Sequence, residues 1–321
     1  MAYTALNAAN CGNFANTGVG TCVVIPDLIT YAVAVPKGTS VPVASLVDNA
    51  TFNAYVNAKF IADSRATRWY LLPFISDLKD NTGDPITEKI NNFTKTVQSG
   101  RYDWTYRMPN IFPCGYQNVY NLMQEMQNYF DIYFIDDKGT WFGTNIDNSG
   151  NFYAFSMFEI FVPDYTQKVA GGNPMYYITF RLAQNEQFSK NALFMASQFV
   201  VSSTTQQLSS VKLIAGPGTV TATHLFVNGT LGCGGSNLGS VYGATLAATA
   251  VWKVNNAATG AVITVSAVSY DSILNQYDLT ITSTPGASVI VAIAAPSIVT
   301  PSPYGAYVVT ETPDKLTVAT P

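Results

Sequence analysis

From Arg101 to Met108 the chain alternates strictly. Tyr102, Trp104, Tyr106 and Met108 fall on one side, and Arg101, Asp103, Thr105 and Arg107 on the other. A period of two with aromatics on one face predicts a half-buried antiparallel strand. Beyond Pro109 and Pro113 the period lengthens to that of a helix. Val119, Leu122, Met123, Met126, Tyr129 and Phe130 make one stripe, with Gln117, Asn118, Asn121, Gln124, Glu125 and Asn128 on the other face. Ile132-Tyr133-Phe134-Ile135, the turn Asp136-Asp137-Lys138-Gly139 and Trp141-Phe142 then predict a strand that turns back. A helix laid on one face of an antiparallel sheet is an α+β core.

The same patterning extends outward from this centre. Residues 1–40 read as an N-terminal arm of loop chemistry and two short apolar runs, Cys22–Ile25 and Tyr31–Val35, with Pro26 and Pro36 limiting their pairing to edges. A strand pair belonging to the chain's own domain is the alternative. Residues 46–62 predict a helix capped by Asp48 or Thr51, with Phe52, Tyr55, Val56 and Phe60 as its buried stripe. Arg68–Leu72 and Phe93–Gln98 predict strands on either side of a polar loop at 79–85. Phe152–Val162 reads as one long strand, 164–174 as a loop, and Met175–Leu182 as the antiparallel partner; Phe188–Val201 closes this domain, 41–205.

After Gln206 the texture changes. Between Leu208 and Pro303 only Lys212, Lys253, Asp271 and Asp278 are charged, and Val, Thr, Ala, Ser and Gly take over. Short strands are predicted at 211–213, 219–227, 247–254, 261–268, 277–282, 288–294 and 306–310, several of them separated by Gly, Pro or Asn turns. That spacing predicts a β-sandwich over 206–312, similar to immunoglobulin-like modules without a disulfide. Trp252 stands where a central core Trp would, and Tyr277–Ile281 is the kind of run that hosts a tyrosine corner. Residues 313–321 read as a tail. The fold class expected is mainly β: an antiparallel barrel or sandwich with a flanking helix, then an immunoglobulin-like sandwich.

Composition narrows the function. Charged residues are only 11 % of the 321, while aromatics are 13 %; an ordinary soluble domain carries roughly 25 % charge. A surface so poor in charge fits one covered by neighbouring subunits, because charge is depleted and Tyr and Phe are enriched at interface cores. A tolerant Asn/Thr/Ser-rich β surface is the alternative. The net charge of −4 argues against a nucleic-acid groove, which needs a basic patch. No apolar run reaches the roughly 20 residues of a membrane span. The start has no basic or apolar leader segments, so maturation in the cytoplasm is expected.

Candidate chemistry is sparse. Cys11, Cys22, Cys114 and Cys233 are far apart and, with the single His224, have no zinc-site spacing. Free thiols are expected, with a Cys11–Cys22 bridge as the alternative. His224 falls in a predicted strand and reads as a surface histidine, since a triad needs Ser and Asp partners. Asp136-Asp137 reads as turn chemistry. Asp131, Asp136, Glu159 or Asp164 could supply the facing carboxylates of a glycosidase, but nothing in the pattern marks a pair. Gly232–Gly235 and Gly12–Gly20 lack the Lys and Ser/Thr of a phosphate loop, and Asp147–Asn151 is short of acidic calcium ligands. Tyr102, Trp104 and Tyr106 could stack sugars or bases; on alternate strand positions they read first as core. No catalytic, cofactor-binding or metal-ligating residue is assigned, and no cofactor.

The order of elements resembles the tail tube (major tail) proteins of tailed bacteriophages: antiparallel sheet, flanking helix and long looped hairpin Phe152–Leu182, then an Ala/Thr/Val/Gly-rich sandwich. Some members of that family carry a C-terminal immunoglobulin-like domain. The resemblance implies a non-enzymatic virion protein, assembled in the host cytoplasm, whose copies close into hexameric rings around an inner β-barrel. It implies rings stacked into a tube that conducts genomic DNA without binding it specifically, contacts with other tail proteins, and ring-to-ring contacts from the 164–174 loop and the N-terminal arm. An acidic lumen would let phosphates slide past. The alternatives are a capsid, head-decoration or tail-collar protein, a carbohydrate-binding adhesin module and, last, an enzyme.

Overall fold

A computed structural model of the chain describes residues 28–62, 64, 66–84, 86–90, 93–98, 100–109, 111, 113–125, 128–145, 150–164, 176–189, 191–197, 199, 201, 207–209, 211–221, 223–231, 236–282, 288–293, 306–308 and 316–319. It is mainly β, with several antiparallel sheets, one curled into a half-barrel, and few helices. The chain divides into two compact units, the first built chiefly from residues up to Thr204 and the second from Thr205 onward.

In the first unit the strands are β1 (Ile29–Pro36), β2 (Ser40–Val41), β3 (Tyr70–Leu71), β4 (Ser76–Asp80), β5 (Ile86–Ile90), β6 (Phe93–Gln98) and β7 (Asp103–Arg107). They continue with β8 (Phe130–Asp136), β9 (Thr140–Thr144), β10 (Phe152–Tyr153), β11 (Met157–Phe161), β12 (Tyr177–Leu182) and β13 (Ala192–Ala196). Helix α1 (Asn49–Phe60) follows β2, and α2 (Pro113–Glu125) follows β7. The larger sheet runs β2-β10-β9-β8-β1-β3 with β13 added to β9; the smaller runs β11-β12-β7-β4; β5 and β6 form a separate hairpin.

Every residue of β8 is buried, because the larger sheet is covered on both faces. Phe130, Ile132 and Phe134 join Ala32 and Ala34 of β1, Trp104 and Tyr106 of β7, and Ile178 and Phe180 of β12 in one core, which Tyr116, Val119 and Met123 of α2 help to close. On the other face Tyr133 lies in an aromatic nest with Trp69, Trp141 and stacked Phe152, over which α1 lays Phe52 against Trp141. Of the two expected caps of α1 it is Asp48 that serves, its Oδ1 accepting from the Thr51 N–H at 2.7 Å.

Three expectations for this unit change. The helical stripe was expected to run to Phe130, but α2 ends at Glu125 and Phe130 begins β8. Within the expected arm, Ile29–Pro36 is an interior strand, antiparallel to β8 on one side and β3 on the other; its Ala-Val-Ala-Val run is the continuous apolar stretch of a strand buried on both faces. Cys11, Cys22 and the 22–25 run lie outside the described residues, as do Cys233, Gly232–Gly235 and most of the 164–174 loop. The long strand Phe152–Val162 breaks into β10 in the larger sheet and β11 in the smaller, with Phe155 bridging to Ile132 between them. Ala154 and Phe155 are consecutive and both buried, which a straight strand with one solvent face cannot accommodate, so the chain turns the corner there.

The second unit contains β14 (Gln207–Ser209), β15 (Val211–Ala215), β16 (His224–Leu231), β17 (Ser236–Asn237), β18 (Trp252–Asn256), β19 (Val262–Ile263) and β20 (Val265–Asp271). After these come β21 (Gln276–Ile281), β22 (Ser288–Ile293), β23 (Ala306–Val308) and β24 (Leu316–Ala319). The two main sheets run β15-β16-β21-β20 and β19-β18-β22-β24. In immunoglobulin lettering this is A-B-E-D against C′-C-F-G. The sheets enclose one core that includes Leu225, Val227, Leu279, Val254 and Val291. Trp252 stands on the C strand, buried, its indole N–H donating to the Leu246 carbonyl at 2.8 Å.

Five expectations change here. The stretch 219–227 is strand only from His224, and 261–268 divides into β19, paired with β18, and β20, paired with β21. The stretch 247–254 is strand only from Trp252, since 238–251 is largely short helical turns. Tyr277 is no tyrosine corner: it lies on E rather than F, where it packs on Trp252 and donates to the Gly243 carbonyl at 2.9 Å. Within the expected tail, Leu316–Ala319 pairs with β22 and supplies the G strand.

Candidate assembly surface

The smaller sheet of the first unit sorts its residues by the alternation visible in the sequence. Trp104, Tyr106, Ile178 and Phe180 point into the core, and the polar members of β7, β11 and β12 make the opposite face. Strand register lines these up in rows: Glu159, Arg181 and Asp103; Phe161, Thr179 and Thr105; Tyr177 and Arg107. In the first row Arg181 Nε donates to Asp103 Oδ2 at 2.8 Å, and its Nη1 to Glu159 Oε2. The bond to Asp103 first, then Glu159, raises the Arg181 pKa above its ordinary value. In the second row the Thr105 and Thr179 hydroxyls bond at 2.9 Å, and Asn81 Nδ2 donates to Thr105 Oγ1 at 3.0 Å. In the third, Arg107 pairs with Asp77 at 3.5 Å.

Both borders of this sheet are open among the described residues: β11 pairs only with β12, and β4 only with β7. Isolated proteins usually blunt such edges with charge or proline. Here β11 shows Phe158 and Phe161, exposed by 52 % and 42 %, whereas β4 shows Leu78, exposed by 52 %, between the charged Asp77 and Lys79. The Arg101 guanidinium lies over the Phe158 ring, 4.1 Å from its centre. Beside β11 a depression is lined by Met123, Phe130, Met157, Phe158 and Ile160 together with the polar Asn128 and Glu159. The β4 edge is bent by a bulge between Ser76 and Lys79, with Asp77 at φ 53°.

The carboxylates singled out from sequence are used structurally. Buried Asp131 accepts from the Gly38 N–H at 2.9 Å and the Met157 N–H at 3.2 Å. Asp136, at the far end of the same strand, accepts from the Lys138 and Thr140 N–H groups at 2.9 and 2.8 Å. Glu159 is tied to Arg181, and Asp164 is exposed, beside the Tyr120 side chain. His224 Nδ1 lies 2.9 Å from Asp278 Oδ1 on the neighbouring strand, both half-exposed. Trp104 and Tyr106 are core, with Tyr102 packed at its margin. Among the described residues no three His, Cys, Asp or Glu side chains form a metal-holding group, and no helix is long and apolar enough to cross a membrane.

Sequence reasoning singled out neither the Arg181 row nor the aromatic edge. The row's signal was present as Asp103, Arg181 and Glu159, each on the polar side of an alternating strand. No family model matches the chain, and no curated protein matches it.

Proposed function

We propose that this chain is a virion structural protein: a tail tube subunit whose copies close into rings, stacked around a channel that conducts DNA. The observation that carries the reading is the relation between the two open edges. In an antiparallel sheet of four strands ordered β11-β12-β7-β4, the first and last strands run in opposite directions. A copy rotated about a ring axis therefore brings its β4 antiparallel to the β11 of its neighbour. The ladder continues without interruption, all apolar faces stay on one side, and no edge remains once the ring closes. Phe158, Phe161 and Leu78 become interface residues, which accounts for their exposure in a single copy.

The polar face then lines the channel. Arg107 and Arg181 on this face are each paired with carboxylates, so in those two rows passing phosphates meet neutralised pairs; Lys79, opposite Thr105, is a further cation of the face. The immunoglobulin-like sandwich suits a decorating role, and contacts with other tail proteins follow from the same reading.

The test is electron microscopy of the purified full-length chain and of its Phe158→Lys and Leu78→Lys variants. Helical tubes from the parent chain, and single folded copies with unchanged circular dichroism from each variant, are expected. A parent chain that stays monomeric at high concentration, or variants that still form tubes, overturns the reading.

A further inference from the structure

The second unit carries a pair of edges of its own, built from different residues. The A strand β15 and the D strand β20 border one sandwich sheet, and among the described residues each pairs on one side only. Each edge holds a single charged side chain, of opposite sign: Lys212 on A and Asp271 on D. We infer that a second copy of this chain docks here, its A edge pairing antiparallel with the D edge of the first and Lys212 opposite Asp271.

Three observations select that register. The order A-B-E-D is antiparallel throughout, so A and D run in opposite directions and a head-to-tail neighbour pairs antiparallel. On A, Leu213 and Ala215 sit opposite Gly229 and Val227 of β16, whereas Lys212 and Ile214 sit on the outer face. On D, Val268 and Tyr270 sit opposite buried Leu279 and Tyr277, so Ser269 and Asp271 share the outer face. With Lys212 opposite Asp271, Leu213 falls opposite Tyr270, Ile214 opposite Ser269 and Ala215 opposite Val268. Core side meets core side at every step; a shift of one residue would break this.

The Gly216 N–H to Phe226 carbonyl bond, 2.7 Å, sets which groups on A are free. Residues 212 and 214 bond toward β16, and 211, 213 and 215 present their N–H and C=O to the open edge. Asp271 Oδ1 is committed to its own turn, accepting from the Ile273 and Leu274 N–H groups at 2.8 and 3.1 Å, which leaves Oδ2 for the incoming ammonium. Ile214, exposed by 39 %, is covered by the contact.

Cysteine cross-linking of the full-length chain tests the pairing, with the parent chain oxidised in parallel as the control for its native thiols. Ile214 and Ser269 lie directly opposite, so the Ile214→Cys/Ser269→Cys double variant is expected to give a ladder of disulfide-linked oligomers on oxidation. Mixing the two single variants should give a dimer and nothing longer. Adding Lys212→Glu should reduce the ladder at least several-fold, while thermal unfolding confirms that the variant folds. No ladder above the parent control overturns the inference, as does efficient dimer from either single variant alone, which would mean a two-fold contact. Tubes without a ladder would leave the ring proposal standing and remove this one; a ladder without tubes would do the reverse.

Discussion

Asp131 shows how one side chain can hold several elements. Its two oxygens bind the turn after β1 through Gly38 and the start of the open edge strand β11 through Met157. Burial pushes its pKa above the ordinary 3.8, against the lowering effect of those two N–H groups and of Lys37. A folded-state pKa above the unfolded value means that the native chain holds the proton more tightly. The group therefore favours folding at acid pH, and that contribution is lost as pH rises through the raised value. Urea titrations of the parent chain and Asp131→Asn should show the parent gaining relative to the variant as pH falls from neutral toward 3.8. A difference independent of pH would contradict this. Gly143 is a second single-residue constraint: a Cβ there would meet the Tyr153 carbonyl oxygen at 2.3 Å and the Phe152 and Tyr133 rings at 2.9 Å. Gly143→Ala should cost at least about 1–3 kcal/mol, as overpacked cores do, measured by the same titration.

At the scale of elements, the β8–β9 hairpin was legible before any coordinates: an apolar run, Asp-Asp-Lys-Gly, then Trp-Phe. The structure adds the reason for its sharpness. Asp136 Oδ1 takes both the Lys138 and Thr140 N–H groups, and Gly139 supplies φ 77°. Asp136→Ala leaves those donors without their acceptor and should destabilise the first unit by about 1–3 kcal/mol, read as a lower unfolding midpoint with the denaturant slope unchanged. Helix α1 was equally legible, with its cap narrowed to Asp48 or Thr51, because capping and stripe are local. The split of Phe152–Val162 was not read, although Ala154-Phe155 breaks the alternation there. Local pattern says that a strand bends, and only its two partners say that it changes sheets.

Across the whole molecule, two cores in one chain set the thermodynamics. Leu279 is fully buried in the sandwich core. Leu279→Ala should cost that unit about 2–5 kcal/mol and lower one of two calorimetric transitions while leaving the other in place; a single transition that shifts as one would contradict independent cores. In each unit one sheet, β11-β12-β7-β4 in the first and β15-β16-β21-β20 in the second, has border strands that run in opposite directions.

Order along the chain determined the mainly-β class, the sandwich in the second half, α1, the body of α2, the β8–β9 turn, and the apolar sides of β7 and β12. These follow from periodicity and capping, which act over a few residues. Tertiary structure alone decided that Ile29–Pro36 is interior, that Leu316–Ala319 completes a sheet, that Glu159, Arg181 and Asp103 form one row, and which strands are left at the borders. Strand pairing joins residues tens to hundreds of positions apart, and a one-residue shift in it exchanges every face. No local pattern encodes that choice; the packed core does.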